Sequence, residues 1–333
     1  MLSNECIGES MKYVVVSKNI VNISHLEILF SYVYFLCENT DKVFLFVTFS
    51  NSIWSKSLVS KDDLEKYNLP QNLEILSEDF DIYASQNTVQ ICNFGYLAVR
   101  NWLDSKKYHH FHSFVQMDEG SGSWQNFFTL LMIGVEEQQN KNKPVASYIF
   151  KKLTSKTIGM LQRAKIYKWT WLKDAKINKD LVTYLPKVYT SKKQKEEMPF
   201  MKEETWIILT GGYVESGYLS ECTYLKWLNQ IIDTIKTDTN HVLLKCHPAE
   251  DLSKYDVIAD KVNILEVSNT IESLFCDEKY HEYKVIGEHS TSLVTLNILY
   301  GITTYSVKSF VHRKITGDFK KLFDAHVKKL EVN

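Results

Sequence analysis

The sequence predicts an α/β protein built as two halves, each a parallel sheet covered by helices. Three observations predict it. Short β-branched runs, apolar from end to end, alternate with amphipathic helical stretches. The alternation stops in a charged stretch near residue 190 and resumes at Thr205. At 333 residues the chain exceeds one ordinary core, so two domains are expected.

The elements follow in order. Tyr13–Ser17 reads as a buried parallel strand, and Ser24 as the N-cap of a helix over Leu26–Cys37. Val43–Phe49, Leu73–Leu76 and Val89–Asn93 are further strands, and Phe114–Met117 is a strand leading into Asp118. Lys151 to Lys195 is rich in lysine, with Trp169 and Trp171 among them. Its lysines read as a solvated helical face or as a patch for anionic lipid or an anionic acceptor. Thr190–Met198 lacks apolar periodicity and reads as a linker. Trp206–Leu209 then opens the second half as a strand, followed by a helix over Leu219–Ile235 and strands His241–Lys245 and Val262–Leu265. A short helix Ile271–Phe275, a strand Tyr283–Ile286, a helix Ser292–Tyr300 and a strand Ile302–Val307 complete it. Phe319–Leu330 reads as a basic helix. Two Rossmann-like halves joined by a linker make a GT-B architecture, its domains facing across a cleft. The expected domains are 1–195 and 203–310, with 311–333 packing back towards the first. No internal repeat is visible.

Bulk properties narrow the function. A chain 44% hydrophobic and 24% charged is that of a soluble globular protein, and a net charge of -1 gives no reason to expect nucleic acid. The six cysteines are scattered without a CxxC pair, which argues against a disulfide framework or structural zinc and for a reducing compartment. Glu5 and Glu9 precede the first apolar run, unlike a secretory signal, and runs such as Ile28–Cys37 are too short to span a bilayer. A cytoplasmic location is expected, with peripheral contact at the cytoplasmic face of the inner membrane left open.

Three clusters carry chemistry: Asp118-Glu119-Gly120, Lys245-Cys246-His247-Pro248 and Ser290-Thr291-Ser292. Ligands of open parallel sheets bind beyond the carboxyl ends of the strands, where the clusters and Thr210-Gly211-Gly212 are expected. A carboxylate such as Asp118 or Glu119 can take a proton from a hydroxyl. The two alternate on an extended strand end, so only one faces the cleft. Taken alone, the tripeptide also fits an acidic surface turn. Lys245 and His247 would share a strand face and offer charge and a donor to a leaving phosphate, with Pro248 fixing the backbone beside them. Hydroxyls and N–H groups at the start of the helix after Ser290 suit a phosphate too, or a plain N-cap. Together these are the parts for moving a sugar from a nucleotide to an alcohol. Asp79-Phe80-Asp81 has the Asp-x-Asp spacing of metal-dependent transferases, but it follows Glu78 in an acidic loop and reads as surface, so no metal and no cofactor are expected.

In this order the motifs resemble those of the bacterial GT-B sialyltransferases, including the polysialyltransferase-like and lipooligosaccharide families. The acidic-acidic-Gly motif looks like Asp118-Glu119-Gly120, the His-Pro motif His247-Pro248 and the Ser-Ser/Thr motif Thr291-Ser292. The resemblance implies that Asp118 is the general base and that His247 stabilises or protonates a departing CMP phosphate. It implies that Ser290, Thr291 and Ser292 hold that phosphate, that Glu272 meets the ribose, and that Thr210, Gly211, Gly212, Lys245 and Pro248 line the nucleotide. The donor would be a CMP-activated sialic or related nonulosonic acid. The acceptor would be a hydroxyl of a surface glycan (galactoside, sialoside or lipid-linked oligosaccharide of capsule or lipopolysaccharide), with inversion and without metal. Ser-Thr-Ser stands where two adjacent serines are common, which leaves the register of the phosphate hydroxyls open by one residue. The alternatives are a CDP-glycerol or CDP-ribitol phosphotransferase, a UDP-sugar enzyme, and an inactive GT-B subunit that binds a glycan.

Overall fold

The computed structural model describes residues 12–50, 59–76, 80–94, 99–118, 127–140, 142–173, 176–194, 204–237, 241–265, 269–308 and 317–332. The chain divides into two units, one holding the first six strands and one holding the last six.

In the first unit the strands are β1 (Lys12–Ile20), β2 (Lys42–Phe49), β3 (Leu73–Ile75), β4 (Thr88–Phe94), β5 (Phe111–Met117) and β6 (Ile166–Trp169). All pairings are parallel, and the order is β3-β2-β1-β4-β5-β6. β1 is central, and its residues Tyr13 to Ser17 are buried, which is why its run of valines shows no alternation. The helix Ile23–Asn39 follows, capped by Asn22, whose side chain accepts from His25 N at 2.8 Å. The helix thus begins before Ser24, because the asparagine takes the cap first. Trp169, the last residue of β6, is fully buried and donates its indole N–H to Ser31 Oγ at 2.8 Å. A small antiparallel ribbon, β7 (Leu172–Lys173) with β8 (Lys176–Ile177), leads to the helix Lys179–Thr190. The linker read at Thr190–Met198 therefore begins at a helix end; its residues 195–198 lie outside the described residues.

The second unit repeats the plan with β9 (Thr205–Leu209), β10 (His241–Lys245), β11 (Asn263–Ile264), β12 (Lys284–Gly287), β13 (Thr304–Val307) and β14 (Lys328–Leu330). These are again all parallel, in the order β11-β10-β9-β12-β13-β14. β9 is buried throughout and packs Trp206 and Ile208 against Tyr224, Leu228 and Ile231 of the helix Glu221–Ile235. The helix Thr291–Tyr300 ends at Gly301, whose φ of 68° is left-handed and whose N–H returns to Asn297 O. The C-terminal reading needs correction. The helix spans only Gly317–His326, and Lys328–Leu330 is the sixth strand, paired with β13. Both sheets have the Rossmann order, with its reversal between β1 and β4 and between β9 and β12. The two parallel sheets with their helices are the GT-B fold.

Candidate active site

In the second unit three neighbouring strands end together at the switch point. β9 ends at Leu209 and is followed by Thr210-Gly211-Gly212. β10, on one side, is followed by Cys246-His247-Pro248, and β12, on the other, by Glu288-His289-Ser290. An open parallel sheet binds its ligand in such a crevice.

His247 lies two residues beyond β10, so a turn sets its direction rather than the strand pleat. Pro248 occupies the second position of that turn, where its fixed φ is favourable, and Glu250 N donates to His247 O at 3.0 Å to close it. Ala249 N donates to His247 Nδ1 at 3.2 Å. Nδ1 is therefore an acceptor, and the ring of the neutral form carries its proton on Nε2. Burial lowers the His247 pKa from its ordinary 6.5 against the opposing pull of Glu250 and Glu215. At neutral pH the residue is an uncharged N–H donor. Gly212 is close by, since a Cβ there would come within 3.8 Å of His247 Nδ1. Burial pushes the neighbouring Cys246 thiol up to about 12, so it is not a thiolate at neutral pH.

A buried carboxylate holds the turn from behind. Glu250 Oε2 accepts from His247 N at 2.7 Å and from the Thr210 hydroxyl, while its Oε1 accepts from Lys254 Nζ at 2.9 Å and Tyr255 OH at 2.6 Å. Lys254 Nζ also reaches Glu215 Oε1 at 2.8 Å. Burial opposes the charge on Lys254, but its hydrogen bonds to the two carboxylates prevail and raise its pKa. Thr210, expected at the nucleotide, has its hydroxyl engaged by Glu250 and by the His247 N–H at 3.0 Å. Sequence reasoning missed Glu250, Lys254, Glu215 and Tyr255. The signal was available: an acid three residues after His247 and a lysine four residues after that acid.

Ser290 is the N-cap of the helix Thr291–Tyr300, its Oγ accepting from Ser292 N at 3.3 Å. Ser290, Thr291 and Ser292 are half-buried. Glu272, in the short helix Ile271–Leu274, accepts from Thr295 Oγ1 at 2.6 Å and is thereby fixed against the first turns of the same helix. Lys245 is the last residue of β10, and its carbonyl accepts from Thr210 N at 3.2 Å.

Asp118 belongs to the first unit. It is 2% exposed and follows β5, whose last residue Met117 pairs with Phe94 of β4 and Trp169 of β6. Its N–H donates to Trp169 O at 3.2 Å, and its Oδ2 accepts from Trp171 N at 3.1 Å, which fixes the carboxylate's orientation. At the end of the neighbouring strand β4, the His25 ring stacks on Phe94 with centroids 4.0 Å apart, and burial lowers the His25 pKa to about 4. Glu119 and Gly120 lie outside the described residues, as does Asp79; Asp81 is in the first turn of the helix Phe80–Gln86.

The fold is shared with nucleotide-sugar enzymes of low sequence identity. A protein described as a UDP-N-acetylglucosamine 2-epimerase from Listeria monocytogenes superposes with a TM-score of 0.56 at 9% identity, over 98% of this chain and 85% of that one. The UDP-GlcNAc 2-epimerase of Methanocaldococcus jannaschii gives 0.50 at 12%, over 96% and 89%. The GT-B domain of a Photobacterium damselae sialyltransferase gives 0.43 at 12%, over 95% and 99%. No curated protein sequence matches the chain. The family model of alpha-2,8-polysialyltransferase (POLYST) matches residues 24–308, which takes in Asp118, His247-Pro248 and Ser290 to Ser292. The chain is therefore a member of the alpha-2,8-polysialyltransferase family and a sialyl-transfer glycosyltransferase of GT-B fold.

Proposed function

We propose that the protein moves sialic acid, or a related nonulosonic acid, from a CMP-activated donor to a hydroxyl of a cell-surface glycan, with inversion and without a metal. The observation that carries this is the convergence at one switch point of a neutral His247, held in a closed turn, with the capped helix start at Ser290. Asp118 takes the proton of the acceptor hydroxyl. The acceptor oxygen bonds to the anomeric carbon as the bond from that carbon to the CMP phosphate oxygen breaks. The electron pair leaves with the phosphate. His247 Nε2–H, Lys245 and the donors of Ser290, Thr291 and Ser292 meet the charge that develops there. Glu272 holds the ribose, and Gly211 and Gly212 let backbone approach the nucleotide. The work is placed in the domains 1–195 (acceptor and base) and 203–310 (donor), in the cytoplasm.

Two substitutions separate these roles. Asp118→Asn should lower transfer by roughly two to four orders of magnitude, the range of a general base, and leave CMP binding unchanged. His247→Ala should weaken CMP binding and slow transfer together, because its contact exists in the ground state and strengthens with charge. Full activity of Asp118→Asn would remove the base from this mechanism. Glu119→Gln is the control. If it is the crippling change, Glu119 is the base.

A further inference from the structure

The helix Val145–Leu161 has an unusual surface. None of its 17 residues is buried. At 100° per residue, Phe150, Leu153, Thr157, Met160 and Leu161 form one stripe. That stripe faces out: Phe150 is 72% exposed, Met160 69% and Leu161 77%. The helix is seated through its other side, where Ile158 packs on the first unit's core of Phe80, Phe114 and neighbours. The amphipathicity is thus inverted relative to a surface helix of a water-soluble protein. The one polar residue of the stripe, Thr157, donates its hydroxyl to Leu153 O at 3.0 Å and needs no water.

Charge identifies the occupant. Every charged residue from Gln138 to Lys173 is basic, in a chain whose net charge is -1. Lys151 is exposed beside the stripe, as are Lys143 and Arg163 at the two ends of the helix, whereas Lys152 and Lys156 are half-buried towards the seated side. A second copy would bring like charges together on this face. An anionic glycan would use the lysines and leave the phenylalanine, methionine and leucine in water. An anionic leaflet satisfies both features, taking the apolar stripe among its acyl chains and the lysines among its headgroups. Among the described residues no helix is long and apolar enough to cross a membrane, so this helix would lie in the interface plane. We propose that Val145–Leu161 seats the protein on an anionic lipid leaflet through Phe150, Leu153, Met160 and Leu161, with the exposed Lys143, Lys151 and Arg163 engaging the headgroups.

The test is co-sedimentation of the full chain with vesicles of phosphatidylglycerol and phosphatidylcholine, or of phosphatidylcholine alone, without donor or acceptor. The chain should bind the mixed vesicles, and binding should fall as salt rises. Phe150→Ser/Met160→Ser/Leu161→Ser should bind at least tenfold more weakly, while its CMP release on a soluble acceptor stays at the wild-type rate. Lys151→Glu/Arg163→Glu should weaken binding by about fivefold or more per residue. Equal binding to neutral vesicles, or retained binding by the triple-serine variant, would overturn the proposal. So would a dimer in solution that the serines convert to monomer, or displacement from the vesicles by oligosialic acid. The vesicle readout needs no catalysis, so its failure is separate from any failure of the sialyl-transfer mechanism.

Discussion

Glu250→Gln tests whether the carboxylate behind the His247 turn organises the donor site. The substitution keeps the shape and removes the charge. Glu250 is 3% exposed and accepts from four donors: His247 N, the Thr210 hydroxyl, Lys254 Nζ and Tyr255 OH. A glutamine has one acceptor oxygen in place of two, so its amide N–H₂ must face either Lys254 and Tyr255 or the His247 N–H and Thr210. The hydroxyls can turn to accept, but the ammonium and the backbone N–H cannot. Of its two carboxylate partners Lys254 retains Glu215. Breaking a buried ion pair by removing one partner costs about 3–5 kcal/mol. The remaining Glu215 contact places the expected loss at the lower end, about 3 kcal/mol. That is a shift of roughly 6–12 °C in the midpoint of a unit this size. Differential scanning calorimetry reads the shift. Lys254→Met should cost a similar amount, and the double variant less than the sum, because no buried charge is then left unpaired and the exposed Glu215, which loses Lys254, is met by water. Transfer by Glu250→Gln should fall at least tenfold, since the turn carrying His247 loses its anchor. An unchanged midpoint, or strictly additive losses, would refute the reasoning.

Two further predictions follow from named groups. Burial holds His25 neutral with a pKa of about 4, against about 6.5 in the unfolded chain. The unfolded state therefore takes up a proton first as pH falls, so the stability is whole above 6.5 and is lost as pH falls from 6.5 through about 4. Melting His25→Phe beside the wild type from pH 7.5 to 4 should show the wild type losing ground in that window; a constant difference would contradict it. The second concerns the nucleotide. CMP should raise the melting midpoint more than UMP or GMP at equal concentration, by mass action on the native state, and three equal shifts would remove the cytidine assignment.

Much of the fold is legible in the sequence because central parallel strands are buried on both faces and read as continuous apolar runs. Tyr13 to Ser17 and Trp206 to Leu209 are such runs, and each is the middle strand of its sheet. Two outer strands, β6 and β14, are not legible for the same reason. Lys328–Leu330 is an edge strand, two-thirds lysine, and reads as the tail of a basic helix. Ile166–Trp169 sits in the lysine-rich stretch, and its buried Trp169 shows only once Ser31 is beside it. The shared strand order of the two sheets leaves no sequence repeat, since it requires matching burial rather than matching residues. At the site, His247, Pro248 and Ser290 were legible because turn and cap chemistry demand particular residues at particular positions. Glu250 was not, because the Ala249-Glu250-Asp251 run resembles an exposed acidic loop. Its burial depends on Lys254, Tyr255 and the distant Glu215 converging on it.

The most direct test of the sialyl-transfer mechanism is to follow CMP and lengthened acceptor together, using CMP-sialic acid and a sialylated oligosaccharide in the presence of EDTA. The account predicts one CMP released for each sialic acid transferred, with inversion at the anomeric carbon and undiminished turnover in the chelator. Turnover that requires added Mg²⁺ or Mn²⁺, or transfer from a UDP-sugar but not from CMP-sialic acid, would contradict it.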